Sequence, residues 1–143
     1  MAKGKADVDQ VAELLALAKV QKQNIVSFKG QGLKLDKKED ANEIVQTIKD
    51  AKDLQTLELV GNTVGVDAAQ LIADALKNRP ELERCLWADM FTGRLRSEIP
   101  ISLKSLGAAI MQAGAHLVEL DLSDNAFGPD CAKVCELFIY QFY

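Results

Sequence analysis

The sequence predicts an α/β fold in which one strand-and-helix unit recurs along the chain, with a short parallel sheet on the concave side and helices on the convex side. Three observations predict it. First, LQTLELVGNTVG (54–65) and LVELDLSDNAFG (117–128) carry Leu, Leu, Leu, Asn and Gly at matching positions. Second, weaker copies open at 25 and 82, so the starts fall at 25, 54, 82 and 117, at intervals of 29, 28 and 35 residues. Third, each copy is followed by apolar residues spaced i, i+3, i+4, i+7, the spacing of one buried helix face.

The elements follow in order. DVDQVAELLALAKV reads as an amphipathic helix over about 7–20, through Val11, Leu14, Leu15 and Ala18, with Asp7 and Gln10 at capping-box spacing. It is expected to cover the open end of the stack, as terminal units do in repeating folds. The first unit starts near 25 with Phe28 in the second apolar slot, and Ala41, Ile44, Val45 and Ile48 form its helix face. In the second, Leu54, Leu57 and Leu59 alternate as a half-buried strand must. Asn62 then sits where the chain turns away, a place where an Asn side chain can bond backbone, and Ala68, Leu71, Ile72 and Ala75 give the helix. The third places Cys85 and Trp87 in the second and third slots and Leu103, Leu106, Gly107 and Ile110 on its helix. The fourth repeats the second through Leu117, Leu120, Leu122 and Asn125, and Pro129 suits a helix start. The skeleton L-x-x-L-x-L-x-x-N is that of leucine-rich repeats, whose period of about 20–29 residues fits the first two intervals. One domain spanning 1–143 is expected. The apolar ending LFIYQFY is no polar terminal unit, so the C-terminal cap reads as missing, and the exposed end is an expected surface for self-association.

The long third interval has a local origin. From unit start to the first helical apolar residue is 14 positions in the second unit and 21 in the third, while the distance onward to the next start is matched. Seven extra residues therefore lie between strand and helix, in DMFTGRLRSEIP (89–100). Insertions of this kind fall on loops of one face, often the binding face. Two readings stay open: the loop presents its side chains to a partner, or Met90, Phe91 and Ile99 fold back onto the unit while Arg94 pairs with Asp89 or Glu98.

Composition narrows the function. The 143 residues carry a net charge of −4 with 27% charged residues, and no basic cluster of the kind that binds nucleic-acid phosphates stands out. No apolar run approaches the roughly 18 residues needed for a membrane span, and three unevenly spaced cysteines make no disulfide framework. A reducing setting is expected. His116 is alone, and Cys131 and Cys135 lack the second pair of a zinc site, so no metal is expected. No phosphate-cradling or nucleophile-elbow motif is present, so no cofactor and no complete active site are expected. Strand positions outside the apolar slots leave Glu58 and Asp121 as concave-face candidates for a basic partner, beside the plain reading of a solvated polar face.

WADMFTGRLRSEIP (87–100), together with ELDLSDNAFGPD (119–130), resembles the corresponding blocks of Ran GTPase-activating proteins, D-[IM]-F-T-G-R, E-I-P and L-S-D-N-A-F-G-P; the likeness runs over roughly 8–130. The resemblance implies a regulator rather than an enzyme. Such a protein binds the small GTPase Ran in its GTP form and accelerates hydrolysis during nucleocytoplasmic transport, in the cytoplasm and at the cytoplasmic side of the nuclear pore. Many activators insert an arginine worth about 10³–10⁵ in rate. This family is instead implied to position Ran's own glutamine with the help of an asparagine on the activator. Arg94, with Asp89, Phe91 and Arg96 beside it, is then implied to contact Ran, by docking or orientation, and Lys104 is a further candidate beside the plain reading of a solvated charge. The helping asparagine belongs to a later repeat, after the point where this chain leaves the pattern. Asn62 and Asn125 therefore keep a structural reading, and a fragment with reduced or no activity is expected. A non-catalytic protein-binding module of the same fold is the alternative.

Overall fold

The computed structural model describes residues 24–142, with the side chains of Cys135 and of 137–142 left aside; the expected cap helix at 7–20 lies outside the described residues. Strands β1 (Ile25–Ser27), β3 (Thr56–Glu58), β5 (Arg84–Leu86) and β6 (Glu119–Asp121) form one parallel sheet in that order. Two-residue strands β2 (Lys34–Leu35) and β4 (Thr63–Val64) pair beside it. Helices α1 (Asn42–Asp50, entered through a 3-10 turn at Lys38–Ala41), α2 (Val66–Leu76), α3 (Glu98–Ala113) and α4 (Pro129–Phe142) each follow a strand of the main sheet. A parallel sheet needs such crossovers, because its strands cannot be joined by tight hairpins.

The expected slots line up across the sheet. Leu57 stands opposite Cys85, and Cys85 opposite Leu120. Leu54, Leu57, Leu59, Leu82, Cys85 and Trp87 are buried, with Ile44, Ile48, Ile72, Leu76, Leu103, Leu106 and Ile110 from the helices packed into the same core. The predicted helix faces are mostly the buried ones; Val45 of α1 and Leu71 of α2 are only half-buried. Burying a Leu or Ile side chain is worth about 1.5–3 kcal/mol, so this contiguous cluster is the main stabilising element.

The first unit needs a correction. Val26, not Phe28, stands opposite Leu57, so Val26 fills the second slot and buried Phe28 the third. The unit's frame therefore lies two residues earlier than the start at 25, and Ile25 is 44% exposed. The physical reason is the ladder: the Phe28 N–H bonds the Glu58 carbonyl, which carries the Val26–Leu57 register forward.

The turn asparagines act as expected. The Asn62 amide donates to the carbonyls of Phe28 and Leu59 at 2.8 and 3.1 Å and accepts the Leu33 N–H at 3.0 Å. Asn125 repeats this two units along, donating to the Trp87 and Leu122 carbonyls and accepting the Met90 N–H. Each asparagine therefore ties its own turn to the turn of the preceding unit, satisfying backbone groups that leave the sheet unpaired. Arg79 does similar work at the other end of a unit, donating to the Ile48 and Lys49 carbonyls at the C-terminus of α1. There a cation also meets the negative end of the helix dipole.

Candidate functional site

The loop that carries the insertion, 87–97, runs from the C-terminal end of β5 to the start of α3. Its first half is an anchor. Met90 and Phe91 are 0% and 3% exposed, Ile99 is buried behind them, and the Phe91 ring meets Phe127 at a centroid distance of 6.3 Å. Phe91, implied above as a partner contact, thus faces inward and can affect a partner only through the loop it anchors. Asp89 adopts a left-handed backbone (φ 46) and accepts a hydrogen bond from the Thr92 hydroxyl, closing the turn. The Val64 N–H donates to the Met90 carbonyl at 2.9 Å, extending the small β2–β4 ladder onto the loop.

Arg94 pairs with neither Asp89 nor Glu98. Its side chain, 13% exposed, reaches back over the two preceding units. Nε donates to Thr63 Oγ1 and Nη2 to the Thr63 carbonyl, both at 2.9 Å, and Nη1 lies 2.7 Å from Asp36 Oδ1. Thr63 in turn donates its hydroxyl to the Thr92 carbonyl at 2.7 Å, so loop and guanidinium are held by one small network. Glu98 instead caps the backbone, accepting the Leu95 N–H.

Arg96 runs the other way. A Cβ placed on Gly128 would lie 2.5 Å from Arg96 Nε, so the guanidinium rests directly on that glycine at the start of α4. A Cβ on Gly65, at the start of α2, would lie 3.1 Å from Arg94 Nη1. The two arginines of one loop thus lie over matching glycines of the units before and behind it. Between them Leu95 is 67% exposed. A cleft of about 350 Å³ bounded by Arg94, Arg96, Thr92 and Asp124 opens beside it. Asp36, Thr63 and Leu95 were not singled out from sequence.

The sheet face carries a second polar set. Glu58 and Asp121 occupy one row with Leu86 between them, and Thr56, Arg84 and Glu119 form the row beside it. Glu58 accepts the Ser27 hydroxyl at 2.7 Å. The Ser123 hydroxyl and N–H both donate to Asp121 and hold its carboxyl below the usual carboxylate range. Arg84 and Glu119 neutralise one another at 3.0 Å. Lys104 is exposed on α3, away from the loop network, and His116 is exposed. Among the described residues no group of three or more His, Cys, Asp and Glu gathers as a metal site, and no helix is long and apolar enough to cross a membrane.

Chemically, the loop offers guanidinium donors and one exposed leucine on a braced backbone. The comparisons with known proteins agree with the motif resemblance. The chain is 56% identical over 133 residues to Ran GTPase-activating protein 1 of Xenopus laevis, covering 93% of this chain and 23% of that protein. It is 56% identical over 105 residues to Ran GTPase-activating protein 2 of Caenorhabditis elegans, and 48% over 105 residues to the Ran GTPase-activating protein of Drosophila melanogaster. Those two alignments cover 73% of this chain and 11% and 18% of the relatives. The chain thus spans less than a quarter of the length of these relatives, and it is similar to one part of them. No family model matches the chain.

Proposed function

We propose that this chain is a leucine-rich-repeat piece of a Ran GTPase activator, that it docks Ran in its GTP form through the inserted loop, and that it supplies no complete active site of its own. The observation that carries the proposal is the 56% identity over 133 residues to a protein named for Ran GTPase activation. The loop geometry adds to it: D-M-F-T-G-R is held by its own network at the C-terminal end of β5 rather than left free. Regulation, on this reading, comes from orienting the GTPase. A guanidinium tied by three internal contacts is poorly suited to swing into another protein's active site, so Arg94 acts in docking. Arg96 and Leu95 extend the same contact, Asp89 shapes it, and the row of Glu58 and Asp121 offers a secondary acidic surface. The same reading places the chain in the cytoplasm and on the cytoplasmic side of the nuclear pore.

The test is titration of the folded chain with Ran loaded with a non-hydrolysable GTP analogue, and with Ran·GDP as the control. Binding selective for the GTP form, weakened by Arg94→Ala, is the expected result; a folded monomer that binds neither form would refute the proposal. Single-turnover GTP hydrolysis should be accelerated weakly or not at all by this chain, and strongly by a chain extended to the length of its relatives.

A further inference from the structure

We infer that Asp36 and Thr63 are positioning residues for the partner contact made by Arg94, an inference that rests on the docking reading above. A guanidinium has five N–H donors in a fixed planar fork. Thr63 takes Nε–H and one hydrogen of Nη2, through its hydroxyl and its carbonyl, and Asp36 takes one hydrogen of Nη1. One donor on each Nη is therefore left over for an oxygen of the partner. The three internal contacts fix χ angles that a solvated arginine would sample freely, so the guanidinium meets its partner already ordered. The position of Gly65 serves the same end, because a Cβ there would crowd both Nη1 of Arg94 and the Leu35 carbonyl. Asp36 follows β2, Thr63 opens β4 and Arg94 lies on the loop after β5, so three successive units converge on one side chain. Neither Asp36 nor Thr63 carries a leucine-rich-repeat signature position. Their placement beside Arg94 is what assigns them the role.

The experiment measures affinity for Ran bearing a non-hydrolysable GTP analogue, with the full chain and with Arg94→Ala, Asp36→Asn, Thr63→Val, Thr63→Ser and the Asp36→Asn/Arg94→Ala double variant. Urea midpoints are recorded for each. Asp36 has a side chain 60% exposed, and Asn matches its shape, so folding should be preserved. Losing the order of one long side chain predicts a roughly 3- to 10-fold weaker complex for Asp36→Asn and for Thr63→Val. Thr63→Ser, which keeps the hydroxyl, should bind as wild type does. In the Arg94→Ala background Asp36→Asn should weaken binding no further, because its only route to the partner is gone. If Arg94→Ala binds weakly but Asp36→Asn and Thr63→Val bind normally, the positioning role is overturned and the docking reading stands. Equal losses from Asp36→Asn in both backgrounds would also overturn it, since Asp36 would then act independently. If Arg94→Ala itself binds as wild type does, the docking assignment fails first, and a wild type that binds no Ran overturns both.

Discussion

Replacing Asn62 by alanine should remove about 3 kcal/mol of stability. The side chain is 3% exposed and makes three hydrogen bonds, two donated to the Phe28 and Leu59 carbonyls and one accepted from the Leu33 N–H. A net contribution of about 1 kcal/mol for each gives that figure, and the stranded Leu33 N–H pushes it upward, since an unsatisfied buried group costs about 1–3 kcal/mol. Asn125 is the internal control. It makes the same kind of bonds, yet is only half-buried, so water can replace part of what alanine removes. Asn125→Ala should therefore cost clearly less, about 1–2 kcal/mol. The assay is urea unfolding followed by circular dichroism at 222 nm, a wavelength common to helix detection, with midpoints compared at constant slope. An Asn62→Ala loss below about 1 kcal/mol, or one no larger than that of Asn125→Ala, would refute the assignment of the turn bonds as a main tie between units.

Other outcomes follow from the same geometry. Gly65→Ala should destabilise by about 1–3 kcal/mol in the same assay, because its Cβ would lie 2.9 Å from the fixed Leu35 carbonyl. Gly128→Ala should be milder, because its Cβ meets only the movable end of Arg96. Arg79→Ala should cost about 1–2 kcal/mol by leaving the Ile48 and Lys49 carbonyls unbonded at the end of α1. Cys85 is fully buried and burial pushes its thiol up; its protonated form is therefore favoured in the folded state. Stability from this thiol should be fully present below the unfolded pKa of about 8.5 and decline above it by at most about 1.4 kcal/mol per pH unit, a loss that Cys85→Ala abolishes in urea titrations run from pH 7 to pH 10.

The repeat skeleton made the sheet legible. Leu57, Cys85 and Leu120 are aligned by sequence spacing and opposed in space because identical spacing from one turn to the next stacks identical slots. The first unit was harder to phase. Ile25, Val26 and Phe28 are all apolar, and only pairing with β3 decides that Val26 and Phe28 turn inward. The insertion was located from counting alone, but the direction of its side chains was not. Arg94 has acidic neighbours at 89 and 98 in sequence, yet Asp89 is already engaged by Thr92 and Glu98 by the Leu95 N–H, which leaves Asp36 as its carboxylate. Contacts across 58 residues of sequence leave no local pattern to read.

Arg94 also changes how the molecule should come apart. In a chain of stacked units each usually touches only the next, so stability propagates between nearest neighbours and ends can fray one unit at a time. The Arg94–Asp36 pair joins the first unit to the third, past the second. Loss of the first unit therefore withdraws one of the three contacts that order the Arg94 side chain two units away. Opening of the first unit and loosening of the Arg94 side chain are thereby coupled while Thr63 still holds the guanidinium, and amide exchange at the Arg94 N–H, which bonds the Phe91 carbonyl, should rise together with that of β1.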